Sequence, residues 1–149
     1  MTRHGEVIAV LIPPPRTQDL YEELVARGEI RPAARNWKEL KRFLAAHSDV
    51  RTCTSTVGFV ETVRVCNQIG SFPNLMTSLA LDHAEMVVTE RVRDVAAAVP
   101  GNVRSLDAIH VATAERLGTR LTALVTYDNR MACVARAAGL PVAMPGVES

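Results

Sequence analysis

Hydrophobic and polar positions change their spacing repeatedly along this chain, and each change predicts an element. The apolar run Glu6-Val-Ile-Ala-Val-Leu-Ile12 predicts a strand that Pro13-Pro-Pro15 stops, because proline cannot donate to a ladder. Thr17 is placed to cap a short helix through Leu20 and Leu24, ended by Gly28, with Ile30-Arg-Pro32 as an extended link. Asn36 and Glu39 form a capping-box-like start for a helix whose apolar face runs Trp37, Leu40, Phe43 and Leu44. Residues 49–54 alternate as a strand does, after which Ser55 or Thr56 can cap a helix carrying Phe59, Val60, Val63 and Cys66. Phe72, Leu75, Met76 and Leu79 recur at helical spacing up to His83 or Ala84, and residues 86–88 read as a short strand. Val92, Val95, Ala96 and Val99 give the next helical stripe, stopped by Pro100-Gly101.

The most ordered pattern follows. Ser105 is a natural cap for a helix that carries Asp107 in its first turn and closes at Gly118, and residues 123–125 form a short buried strand that delivers Asp128. Asn129 can cap a last helix with Met131, Val134, Ala135 and Ala138 inward, ended by Gly139 and Pro141 before a strand at residues 142–144. Strands thus alternate with helices throughout. That pattern predicts an α/β fold with a mostly parallel sheet covered on both faces.

Composition adds bounds rather than identity. The 149 residues suffice for one core, and 48% apolar with 22% charged residues is ordinary for a globular protein. No apolar run approaches the roughly 20 residues of a membrane helix, and the N-terminal stretch lacks the features of a secretion signal, so a cytoplasmic protein is expected. Cys53, Cys66 and Cys133 lie in apolar segments without metal spacing and read as buried, reduced thiols. A net charge of +1 implies no strong overall attraction to nucleic acid, leaving room for a local basic patch.

Chemistry concentrates in three acids. Glu61, Asp107 and Asp128 each stand near a strand end or at the start of a helix that follows one, the edge where open α/β sheets bind ligands. Oxygen donors of this kind suit Mg²⁺ or Mn²⁺, which take a few carboxylates, keep several waters and are completed by substrate phosphate. Hydrolysis of a phosphodiester is the reaction such an ion supports. Each acid also has a plain structural reading: Asp107 at its helix N-terminus, Asp128 in a turn, Glu61 as a solvated helix residue. His110, one turn after Asp107, can contact substrate or be a partly buried histidine with a local hydrogen bond. Thr126 can orient an acid or simply suit a strand, and Arg64, Arg104 and Arg130 can hold phosphates or be surface charges.

Arg104-Ser-Leu-Asp-Ala-Ile-His-Val-Ala-Thr-Ala, Leu124-Val-Thr-Tyr-Asp-Asn-Arg-Met and Ala138-Gly-Leu-Pro-Val-Ala-Met-Pro-Gly resemble the VapC-type toxins of the PIN-domain ribonucleases. Thr54-Ser-Thr-Val-Gly-Phe-Val-Glu61-Thr-Val-Arg64 is similar to that family's second acidic motif. The resemblance covers about residues 40–146. It implies a three-layer α/β/α sandwich, a divalent metal held by clustered acids, cytoplasmic endonucleolytic cleavage of RNA, a homodimer, and inhibition by a VapB or Phd-type antitoxin. Glu61, Asp107 and Asp128 correspond to the family's second, third and fourth acids.

The family's first strand ends in an Asp-Thr-Ser or similar motif, and nothing in this N-terminus reproduces that first acid. Instead Thr2-Arg-His-Gly-Glu-Val-Ile-Ala-Val-Leu-Ile-Pro-Pro resembles the last strand of a Phd-type DNA-binding domain, and residues 20–37 resemble an antitoxin's toxin-binding tail. The organisation expected is an antitoxin-like strand and strap over residues 1–39, with Arg31 or Arg35 able to plug the acidic site, joined to a PIN-like domain over residues 40–149 that lacks its usual first strand. In such a chain the residue 7–12 strand is expected to fill the vacant central slot, and loss of one acid to impair cleavage. The competing expectation is a catalytically inactive toxin–antitoxin fusion remnant that acts only as a protein-binding module.

Overall fold

A computed structural model describes residues 7–10 and 36–147. The helix expected through Leu20 and Leu24, and the strap with Arg31 and Arg35, lie outside the described residues. Five strands form one sheet: β1 (Val7–Val10), β2 (Arg51–Ser55), β3 (Ala84–Met86), β4 (Leu121–Val125) and β5 (Val142–Ala143). Their order is β3-β2-β1-β4-β5, and every neighbouring pair is parallel. β1 therefore lies in the middle, with Ile8 opposite Thr52 of β2 on one side and Ala123 of β4 on the other. The short apolar run at the N-terminus fills the centre of the sheet as expected. A vacant slot there would leave the inner N–H and C=O groups of β2 and β4 without partners.

Six α-helices connect the described strands: α1 (Trp37–Ala46), α2 (Thr56–Ile69), α3 (Leu75–Asp82), α4 (Glu90–Ala98), α5 (Ser105–Glu115) and α6 (Asn129–Ala137). Alternation along β4 explains where they pack. Leu124, fully buried, joins Cys53, Val111, Ala114, Met131 and Ala135 of β2, α5 and α6, and Leu117 just past α5, on one face. Val125, the next residue and equally buried, joins Leu40 and Val50 with Phe43 and Leu44 of α1. Helices thus cover both faces of β4, as the near-continuous apolar run of a doubly buried strand requires. Phe59, Leu75 and Leu79 make a third, smaller cluster between α2 and α3.

Several local expectations shift. The strand expected at residues 86–88 is Ala84–Met86, because the apolar step at Ala84 pairs with Cys53 and the chain leaves the sheet at Val87. α5 starts one residue early, so Arg104 occupies the cap position and Ser105 is already helical. Asn36 precedes α1 but its side chain makes no capping hydrogen bond. α5 ends at Glu115, and Gly118, at φ 54°, opens a 3₁₀ turn that leads into β4. Cys53 is buried, and burial pushes its thiol up to about 11, as suits an inert core sulfur. Cys133 is exposed on the outer side of α6, against the expectation of burial, although the neighbouring Met131, Ala132 and Ala135 face inward. None of the described helices is long and apolar enough to cross a membrane.

Candidate metal and nucleic-acid site

All five strands are parallel, so their carboxyl ends share one edge, and the order of the sheet reverses beside β1. That edge is where α/β sheets open a crevice for ligands. Three chain segments leave it carrying the residues singled out by sequence.

The first is the β2–α2 junction. Ser55, almost fully buried, ends β2 and caps α2, its Oγ accepting the Gly58 N–H at 3.2 Å. Gly58 is required by proximity: a β-carbon there would collide with the side chain of Thr54. This tight junction sets the start of α2, and with it the position of Glu61 in the second turn. Thr62, also buried, reinforces that turn by donating to the Gly58 carbonyl at 2.8 Å.

The second is α5. Its residues 108 and 110–114 are buried, whereas Asp107 at its start is partly accessible. His110 lies three residues on, hence on the same helical face as Asp107. Its ring is 5% exposed and reaches two other elements: Nδ1 is 3.1 Å from Ser55 Oγ, and Nε2 is 2.9 Å from Glu61 Oε2. The hydrogen bond expected for this histidine within its own helix is replaced by two long-range ones. Glu61, with its side chain 45% exposed, is thereby brought against α5.

The third is the β4–α6 junction. Thr126 is buried, and its Oγ1 accepts the Asp128 backbone N–H at 3.1 Å. Asp128 itself is the N-cap of α6: Oδ1 accepts the N–H groups of Arg130 at 2.8 Å and Met131 at 2.9 Å. The cap expected at Asn129 therefore belongs to its neighbour, and Asn129 is helical. Tyr127 donates to the Pro145 carbonyl at 2.8 Å, which ties this junction to the C-terminal turn. Burial, together with the Glu39 carboxylate, raises the Tyr127 hydroxyl's pKa and keeps it a donor.

Glu61 and the helix of Asp107 are thus joined through His110, and α6 with Asp128 packs beside α5. The three carboxylates do not close into a cage: no group of three His, Cys, Asp or Glu side chains among the described residues is arranged to hold a metal ion. The donor set nevertheless fits a hard divalent cation in one respect. Its oxygens come from acids that are half-buried or exposed, and Mg²⁺ is ordinarily bound by one or two carboxylates plus waters and substrate phosphate. Arg64, Arg104 and Arg130, each within three residues of one of the acids, are all exposed.

The family model for the PIN domain matches residues 27–137. The chain belongs to the PIN-domain family. PIN membership carries an α/β/α fold, in keeping with parallel strands and helices on both faces of β4. This PIN domain is 38% identical over 113 residues to Ribonuclease VapC47 of Mycobacterium tuberculosis, covering 72% of the chain and 83% of that protein. It is 41% identical over 113 residues to Ribonuclease VapC35 of the same species, covering 72% of the chain and 82% of the relative. Ribonuclease VapC46 is 38% identical over 94 residues, covering 62% and 72% respectively. No solved structure gives a significant match. The PIN match begins at residue 27, inside the segment read above as an antitoxin-like strap, and these ribonuclease relatives lend that antitoxin reading no support.

Sequence reasoning singled out Glu61, Asp107 and Asp128 and placed Asp107 on a helix, but missed the contact between His110 of that helix and Glu61. Ser55 was legible as a cap and not as a partner of His110. No local signal could have shown it, since 55 positions separate Ser55 from His110 and 49 separate Glu61 from it.

Proposed function

We propose that this PIN domain is a VapC-type toxin ribonuclease that cleaves RNA phosphodiesters with a divalent metal, and that its cleavage is weakened because β1 carries no acid at its carboxyl end. The observation that supports this reading is the 2.9 Å contact by which His110 joins Glu61 to the helix of Asp107, at the carboxyl edge of the parallel sheet. In this reading the molecule is a three-layer α/β/α sandwich, pairs with itself as a homodimer in the cytoplasm, and is held inactive by a VapB or Phd-type antitoxin.

Glu61, Asp107 and Asp128 would hold Mg²⁺ or Mn²⁺, and the chemistry supplied there is neutralisation of phosphodiester charge and a more acidic attacking water. The chain's own contribution is positioning. The guanidinium groups of Arg64, Arg104 and Arg130 are accessible for phosphate oxygens, which they can grip in bidentate fashion. Asp128 has Oδ1 committed to the α6 cap, so Oδ2 is the oxygen with which it would hold a metal. After Val10 the sequence runs Leu-Ile-Pro-Pro-Pro, so the strand between β2 and β4 brings no carboxylate to the edge. Fewer fixed oxygens mean weaker binding of a hard cation.

Cleavage of a structured RNA in Mg²⁺ or Mn²⁺ tests this. Asp107→Ala should abolish the activity of the unaltered chain. An acid restored at the end of β1, as Val10→Asp or Leu11→Asp, should raise activity at least about tenfold, in line with the effect of a lost metal-supporting group. Equal activity in the chain and its Asp107→Ala form would refute the reading.

A second reading is favoured by one observation, that no three His, Cys, Asp or Glu side chains among the described residues come together as a metal-holding group. On this reading the chain is a non-catalytic protein-binding module. Growth on induced expression separates the two: a nuclease arrests growth only with Asp107 intact, and a binding module does so in both forms or in neither.

A further inference from the structure

We infer that His110 is a positioning residue that fixes the Glu61 carboxylate through a directed chain of hydrogen bonds running Gly58 to Ser55 to His110 to Glu61. The inference rests on the reading of Glu61 as a metal ligand and deepens it, by assigning roles to two residues that act through Glu61.

The direction of the chain follows from proton counting. Ser55 Oγ accepts the Gly58 N–H at 3.2 Å and has a single hydrogen of its own. Its other neighbour is His110 Nδ1, at 3.1 Å, and both side chains are buried. Were Nδ1 protonated, it would donate to Ser55, and the hydroxyl hydrogen would be left in the interior without an acceptor among the described residues. A buried hydroxyl is satisfied when it donates to a bare Nδ1 instead. With Nδ1 bare, the ring proton sits on Nε2, where it is donated to Glu61 Oε2 at 2.9 Å. Every donor and acceptor in the chain is used once, and the tautomer is fixed by the cap of α2.

This arrangement orients Glu61. Its side chain is 45% exposed and would otherwise sample several rotamers, but Oε2 is held by a ring that is 5% exposed and anchored at its other nitrogen. Oε1 is left as the oxygen available for an outside ligand. A carboxylate with one oxygen tied to a buried N–H and the other accessible is what a supporting shell provides at metal sites, where loss of such a partner weakens binding roughly 10–100-fold.

Two measurements on the full chain test this. Long-range ¹H–¹⁵N correlation spectra of the metal-free protein, with His110 assigned from the spectrum of His110→Gln, should show the proton on Nε2. A proton on Nδ1 would overturn the relay. Calorimetric titration with Mn²⁺ should show affinity roughly 10–100-fold weaker in His110→Leu, a loss comparable to that of Glu61→Gln and not increased in the double variant. His110→Gln, which keeps a donor, should bind nearly as the unaltered chain does. Thermal unfolding without metal identifies variants that fail to fold. Should His110→Leu be one of them, Ser55→Ala takes its place and should weaken Mn²⁺ binding and release the tautomer. Unaltered Mn²⁺ affinity in a folded His110→Leu or Ser55→Ala chain overturns the positioning role. No Mn²⁺ uptake by the unaltered chain would instead overturn the metal reading of Glu61, and the tautomer alone would then decide the relay.

Discussion

Asp128 shows how one side chain serves two needs. Its Oδ1 caps α6, a role that depends on an acceptor oxygen and hardly on charge, since asparagine caps helices as well as aspartate does. Asp128→Ala should therefore lower unfolding free energy by about 0.5–2 kcal/mol, whereas Asp128→Asn should leave it within a few tenths while removing the anionic donor. Urea unfolding of both variants beside Mn²⁺ titration checks the division: a metal role appears as a loss of binding in Asp128→Asn without loss of stability. His83 offers a pH prediction. Burial lowers its pKa below the ordinary 6.5, against the opposing pull of the Asp82 carboxylate, and Nδ1 lies 2.7 Å from Thr52 Oγ1. The unfolded chain takes up this proton first. The stability contributed by neutral His83 is present above the ordinary value and is lost as pH falls through the depressed one. Urea midpoints from about pH 7.5 to about pH 5 should fall with acid, and His83→Gln should remove that part of the slope. Glu61, His83 and His110 were visible in the sequence as residue types. Their partners were not, because Thr52 and His83, or Glu61 and His110, meet only when separate elements pack.

At the scale of elements, apolar periodicity located most helices and strands to within a few residues, and the errors have local causes. Residues 86–88 looked like a strand because Met86, Val87 and Val88 are apolar, yet pairing with β2 selects Ala84–Met86. Ser105 looked like a cap because serine is a good one, yet α5 already includes it. β1 carries the larger consequence. A four-residue strand closely followed by Pro13-Pro-Pro15 has a local composition that an edge strand tolerates, and in the fold it pairs on both sides, in the central slot expected for it. Proline scanning distinguishes the two situations. On an edge, proline is tolerated wherever the N–H faces outward, so Ile8→Pro or Ala9→Pro would be mild. In the centre, consecutive residues direct their N–H groups to opposite neighbours, so both substitutions should be destabilising. Each breaks a ladder hydrogen bond and leaves a buried acceptor unpaired, at roughly 1–3 kcal/mol. Unfolding curves in which one of the two is neutral would place β1 at an edge.

For the whole molecule, the sequence by itself determined the α/β class, the apolar run of β4 that must be buried on both faces, the three acids, and the absence of a carboxylate after β1. These are properties of spacing and residue type, which local sterics and the hydrophobic effect translate directly into elements and faces. Tertiary structure decided the rest. It set β1 between β2 and β4, where only the family resemblance had placed it, split Leu124 and Val125 between two cores on opposite sides of the sheet, and carried His110 to Ser55 and Glu61. Sequence could not supply these because each is a contact between segments tens of residues apart, fixed by which parallel strands are neighbours. Strand order is chosen by the satisfaction of backbone hydrogen bonds and the burial of whole faces at once, and no single stretch of chain encodes it.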